Sequence, residues 1–317
     1  MMVLALILLA GPGLLRILRR AARRGTTPSA APADAPLVVV EKAGGALRLS
    51  CLDAASGKVI WRQDPFPGVA PRFFTASSPL IVNGMAVAHL GGAGNGAMIG
   101  FDLGTGAEMG RWAGEGPDYA SPVVMTVADT PQAVTLTEKS IVGVSLLDGS
   151  LLWQRPFAPQ ERSYNSVTPV VDGQTVIYTG ARRGMFAVKI EGVGGAFTAT
   201  ELWANPNLGC GYCTPVLRDG FLYGVSDKGS LFCVNVQTGQ PTWVDAAVTD
   251  KGSYAPMVDA GGVLMAFPST GEMIVFKPNS VAFTQVARLK VADTPVYAYP
   301  VVSGKRIIVK DQDAVTC

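Results

Sequence analysis

A fixed internal period constrains this chain more than any other feature. Tryptophan falls at positions 61, 112, 153, 203 and 243, at intervals of 51, 41, 50 and 40 residues. A second marker, a small or aromatic residue followed by proline and then apolar residues, falls at Pro79, Pro122, Pro169, Pro215, Pro256 and Pro300, at intervals of 43, 47, 46, 41 and 44. Two independent markers on one spacing identify a repeat architecture, which accommodates 317 residues without two separate cores. The composition agrees: charged residues make up 16%, while 37 glycines and 22 prolines suit many short strands separated by turns.

Within each period the text recurs. A strand opens at the proline, whose missing N–H is tolerated at a first or edge position. Tight turns follow, as in VNG (82–84), RDG (218–220) or SGK (303–305), then a second strand such as VIYTG (176–180). A third strand such as SLFCVNV (230–236) runs into a turn ending in glycine: DAASG (53–57), DLGTG (102–106), SLLDG (145–149), NVQTG (235–239). Glycine there supplies the positive φ that a bulged hairpin needs. The fourth strand carries the tryptophan. Four short antiparallel strands per roughly 44 residues predict an all-β chain of β-propeller blades.

Five blades are complete, residues 37–63 read as the last three strands of another, and 299–317 as the first three strands of one more. The count predicts six or seven blades, and a stop in mid-blade fits a truncation from eight. The pieces LSCLDAASGKVIW (49–61), MIGFDLGTGAEMGRW (98–112) and LFCVNVQTGQPTW (231–243) resemble the PQQ-like, quinoprotein-type propeller repeat. The resemblance covers residues 37–317 and extends to the propeller family that includes the outer-membrane-protein assembly lipoprotein. Two blades depart from it: EGVGGAFT (191–198) holds an insertion, and FKPNSVAFTQ (276–285) lacks both turn glycine and tryptophan.

Ahead of the propeller, residues 1–25 combine an apolar run, VLALILLA (3–10), with five arginines and no acid. Three readings stand: a short membrane anchor whose Arg-rich flank stays cytoplasmic, a signal whose start is misplaced, or a membrane-surface helix. Each associates the segment with a membrane and places the protein in the cell envelope, anchored or periplasmic. Residues 26–36, TTPSAAPADAP, read as a linker. Without the first 25 residues the net charge is −3, against +2 for the whole chain, so no basic footprint for nucleic acid exists.

No catalytic or metal constellation is legible. Cys51, Cys233 and Cys317 share a repeat position that elsewhere holds Gly100, Gly143 and Ala187, as expected of a small buried packing slot. Cys210 and Cys213 match no sister residue and are either a local disulfide or two free loop thiols. Thr214 follows where a c-type haem site would need histidine, and the single histidine, His89, reads as a strand residue. DQDAVT (311–316) reads as a polar turn.

The aromatics Phe73, Phe74, Tyr119, Tyr164, Tyr212, Tyr254 and Tyr297 each precede a blade's opening proline by a few residues. They are either packing between blades or a surface presented to a partner, with Arg72, Asp118, Arg162 and Lys251 as a polar rim. The resemblance admits two functions: a non-catalytic scaffold that binds a protein or ligand through one face, or a quinoprotein dehydrogenase. A third option is an accessory or sensor domain of a longer protein. That dehydrogenase family implies adjacent cysteines, a calcium site and a catalytic aspartate. This chain has no Cys-Cys pair, so PQQ is not expected as its cofactor.

Overall fold

The computed structural model describes residues 36–43, 46–72, 77–160, 163–247 and 254–317. Residues 1–35, with the membrane-proximal segment and nearly all of the linker, lie outside them. Among the described residues every regular element is a strand, and the strands form seven antiparallel meanders. The fold is a β-propeller of seven blades. No helix among the described residues is long and apolar enough to cross a membrane.

The blades divide between two compact units, residues 1–157 and 158–317. The first unit holds blade 1 (Pro36–Ala43, Ala46–Asp53, Val59–Gln63), blade 2 (Leu80–Val82, Met85–Gly92, Asn95–Asp102, Glu108–Gly114) and blade 3 (Val123–Val127, Thr130–Leu136, Ser140–Ser145, Leu151–Pro156). The second holds blade 4 (Val170–Asp172, Thr175–Gly180, Gly184–Val193, Ala196–Asn205) and blade 5 (Val216–Arg218, Phe221–Val225, Ser230–Asn235, Pro241–Ala247). Blade 6 (Met257–Asp259, Leu264–Ala266, Glu272–Phe276, Gln285–Lys290) and blade 7 (Val301–Ser303, Arg306–Lys310, Val315–Thr316) complete it.

Burial follows strand position. The second strand of blade 2 and the third strand of blade 3 are buried along their whole length, because other blades or strands cover both faces. The fourth strand of blade 3 is mostly exposed, with Trp153 its one fully buried residue. The apolar core therefore lies between successive sheets of a unit: Leu49, Cys51 and Trp61 against Ala88 and Phe101, or Ile177 and Trp203 against Leu222 and Phe232.

The tryptophans and the turn glycines are two halves of one joint. The Trp61 indole N–H donates to the Leu103 carbonyl at 2.9 Å, and Trp203 donates to Val236 at 2.8 Å; both acceptors sit in the glycine-ended turn of the next blade. Trp243 reaches Asn279 of blade 6 in the same way at 2.8 Å. Gly106 and Gly239, at φ 74° and 69°, lie against the rings of Trp61 and Trp203, where a Cβ would come within 2.7 and 2.4 Å. Glycine is thus required there twice, for left-handed backbone and for ring clearance.

Two tryptophans depart from this scheme. In register, Trp61, Trp153, Trp203 and Trp243 pair with Cys51, Gly143, Ala187 and Cys233, the small slot predicted from sequence. In blade 2 the slot residue Gly100 instead pairs with Gly110, and Trp112 pairs with Met98. Trp112 is therefore displaced by two residues from the common position, and it packs there against Ala133, Val142 and Val144 of blade 3. Trp153 donates within its own blade, to Gln132 Oε1 at 2.5 Å, and folds over Gly143. Gln132→Ala would leave a buried indole N–H unpaired, and a loss of about 1–3 kcal/mol in a urea melt is expected. Cys317, placed in the slot by its sequence position, is exposed, because it follows the two-residue strand Val315–Thr316 and none of the described strands covers it.

Two carboxylates that the sequence did not mark tie blades 2 and 3. Glu115 accepts from the Thr137 hydroxyl, from Ser140 Oγ at 3.1 Å and from Gln154 Nε2 at 2.9 Å. Glu138 accepts from the N–H groups of Gly94 at 2.8 Å and Gly116 at 3.0 Å. His89 is buried beside them, its Nε2–H donating to the Glu115 carbonyl at 2.9 Å, as befits a strand residue. The polar turn expected at 311–316 forms on Asp311, whose carboxylate accepts from the N–H groups of Asp313 and Ala314.

Candidate functional site

The loops leading into blades 5, 6 and 7 bring three of the sequence-selected aromatics together. Tyr212 and Tyr254 stack with centroids 4.4 Å apart and planes 7° from parallel. Tyr297 meets Tyr254 edge-on at 5.4 Å and 82°, an arrangement the ring quadrupoles favour. Tyr297 is 54% exposed, while Tyr212 and Tyr254 are half-buried. Burial, and then the neighbouring Tyr212, push the Tyr254 phenol up to about 12, so it stays a neutral donor across the physiological range.

Fixed backbone contacts hold these rings. Thr214 N–H donates to the Tyr299 hydroxyl at 2.7 Å, joining the loops before blades 5 and 7. Ala255 N–H donates to Cys213 Sγ at 3.2 Å, joining the loops before blades 5 and 6. Cys210 N–H donates to Thr179 Oγ1 at 2.9 Å, and that hydroxyl donates to the Gly184 carbonyl at 2.7 Å, which ties the loop back to blade 4. Tyr299, absent from the sequence-based set, is the site's hydroxyl acceptor; it lies two residues beyond Tyr297 in the same YAYP segment.

Cys210 and Cys213 are separate thiols in this structure, so the local disulfide is not the form seen. Both are buried rather than exposed loop groups, at 0% and 5% exposure. Burial raises Cys210 far above the usual thiol range and pushes Cys213 up to about 12. The backbone explains the separation, since Cys213 faces the Ala255 N–H while Cys210 is anchored on Thr179.

Of the other selected residues, Tyr164 is half-buried on the loop before blade 4, and Tyr119 is half-buried within the first compact unit. Phe73, Phe74, Arg162 and Lys251 lie outside the described residues. Asp118, expected on a polar rim, is buried at 7% exposure, packed on the loop that leads into blade 3.

A family model described as outer membrane protein assembly factor BamB matches residues 18–245. The chain belongs to this family. Among solved structures, BamB from Moraxella catarrhalis is similar at 19% identity, covering 86% of this chain and 79% of that one, with a TM-score of 0.57. The computationally designed Ika8 protein is 8% identical over 88% of this chain and 82% of its own, with a TM-score of 0.59. Quinohemoprotein alcohol dehydrogenase from Comamonas testosteroni is 13% identical over 85% of this chain, which spans 62% of that enzyme, with a TM-score of 0.57. At these identities the structures share the fold alone. No curated protein matches the sequence.

Proposed function

We propose that this member of the BamB family is a non-catalytic binding propeller that holds another protein through the loops carrying Tyr212, Tyr254 and Tyr297. The observation that carries the reading is the partly exposed, rigidly anchored tyrosine cluster. Aromatic rings that lose little freedom on binding are the usual anchors of protein interfaces. The family's description as an assembly factor supports recognition rather than turnover. On this reading the protein works in the cell envelope, with residues 1–25 keeping it near a membrane.

On the same reading the propeller holds no quinone cofactor. The two neighbouring cysteines are separated by Gly211 and Tyr212, and among the described residues no three of His, Cys, Asp and Glu gather as a metal set. Titration of the full chain with PQQ and calcium should leave its absorbance and melting temperature unchanged; a saturable spectrum with a raised melt would replace the scaffold reading by the quinoprotein one.

For the scaffold reading, wild type, Tyr254→Ala and a control, Val286→Ala on the outermost strand of blade 6, are compared as bait in envelope extract. Loss of about tenfold of the captured species in Tyr254→Ala alone is expected, the scale of a buried interface aromatic. Equal capture by all three would remove the tyrosine loops from the interface.

A further inference from the structure

The Gly-Cys-Gly-Tyr-Cys segment (209–213) places Tyr212 between two buried thiols, and the two cysteines are anchored to different blades. Cys210 is pinned through its backbone N–H to Thr179 of blade 4. Cys213 is pinned through its sulfur to Ala255, the residue after Tyr254. The bend at 211–213 that joins the anchors carries the ring stacked on Tyr254. Among the described residues neither sulfur has a metal set around it; of the three remaining cysteines, Cys51 and Cys233 are buried in the packing slot of blades 1 and 5, and Cys317 is exposed after the last strand of blade 7.

We propose that Cys210 and Cys213 are a thiol–disulfide couple that sets whether Tyr212 is stacked on Tyr254. Closing the bridge requires the Cys213 sulfur to turn toward Cys210, away from the Ala255 N–H. That removes the Ala255–Cys213 hydrogen bond, which links the Cys213 side chain to the loop of blade 6, and it shortens the span on which Tyr212 sits. The oxidant is a small-molecule disulfide such as oxidised glutathione. The two Cys S–H bonds and its S–S bond break, the new Cys210–Cys213 S–S bond forms, and both protons and both electrons leave as two glutathione thiols. Because the folded thiols are buried and hard to ionise, exchange proceeds through loop opening or before the loop has folded. The effect on partner binding rests on the function proposed above; the effect on the rings does not.

The test equilibrates the full chain, refolded from denaturant, in glutathione buffers from fully reducing to fully oxidising. Free thiols are then alkylated and the tryptic peptide 190–218, which contains only these two cysteines, is weighed. In parallel, NMR of ring-labelled tyrosine follows the ring-current shifts of Tyr212 and Tyr254. A peptide 2 Da lighter and resistant to alkylation in the oxidising buffers, with the stacked shifts lost and then restored by dithiothreitol, is the expected result. Dithiothreitol reversal on the wild type needs no variant, and Cys213→Ser should abolish the response to oxidant. Alkylation of both cysteines at every buffer ratio, bridging to another cysteine, or a bridge that leaves the ring shifts unchanged would each overturn the proposal. A reversible ring change that leaves partner capture intact would count against the binding site and not against the couple.

Discussion

Trp203→Ala will lower the unfolding free energy by about 3–5 kcal/mol, the loss typical of a large aromatic removed from a packed site. The indole is 9% exposed, fills the space between blades 4 and 5 with Ile177, Leu222 and Phe232, and supplies the N–H bonded to Val236. Truncation empties that space and leaves the Val236 carbonyl without its donor. Urea denaturation followed by circular dichroism measures the loss directly. Gly239→Ala attacks the same joint from its other side, since it adds a methyl 2.4 Å from the Trp203 ring at a φ of 69°. Its unfolding free energy should also fall, by more than the usual helix-or-strand glycine effect of about 1 kcal/mol, with the midpoint lowered accordingly. Two unchanged midpoints would show that the blades cohere without this joint.

The second large effect is an acid transition set by His89. Burial lowers its pKa from 6.5 to about 4, against the Glu115 carbonyl and the Glu138 carboxylate, which both favour the cation. An unfolded chain takes up the proton near pH 6.5, whereas the folded chain refuses it until about pH 4. Between those values the unfolded state binds more protons, so stability falls as the pH falls, by about 3 kcal/mol in all, and the slope from this group vanishes below pH 4. Asp53, Asp102 and Glu108 have lowered pKa values and add a further loss at the acid end, so the wild-type curve alone does not isolate the histidine. The difference between wild type and His89→Gln does, because glutamine keeps a donor and does not titrate. That difference should change across pH 6.5 to 4 and be flat above pH 7; parallel curves throughout would mean His89 is solvated in the folded protein.

The sequence is informative about this fold where one residue type must recur at one place. Pro79 and its sisters open first strands, Gly106 and Gly239 close turns, and Trp61, Trp203 and Trp243 span to the next blade, so the period carries the blade plan. Trp112 shows the limit of that reading. Its interval is as regular as the others, but it lies six positions beyond Gly106, where Trp153 lies four beyond Gly149, and that offset is what moves it off the slot. The position of the tyrosines before each proline places them in loops but says nothing of partners. The stacking of Tyr212 on Tyr254 depends on contacts across 42 residues, and Tyr299 enters only through a hydrogen bond to Thr214 across 85. Glu115 and Glu138 were equally silent: a lone glutamate in a loop has no sequence sign of the N–H and O–H groups that will converge on it.

The tryptophan joint also bears on where the chain could be cut and rejoined. Its donor belongs to the fourth strand of one blade and its acceptor to the turn before the fourth strand of the next, so the joint crosses from one hydrogen-bonded sheet into its successor. A circular permutant opened between blades 4 and 5 would separate Trp203 from Val236 along the new chain and leave the joint to be made by ends held together only by folding. One opened in the exposed hairpin tip at Gly194–Gly195, inside blade 4, would keep donor and acceptor on one continuous segment. For this protein the tolerant place to make new termini is within a blade, and the seams that look natural on a strand diagram are the ones to leave closed.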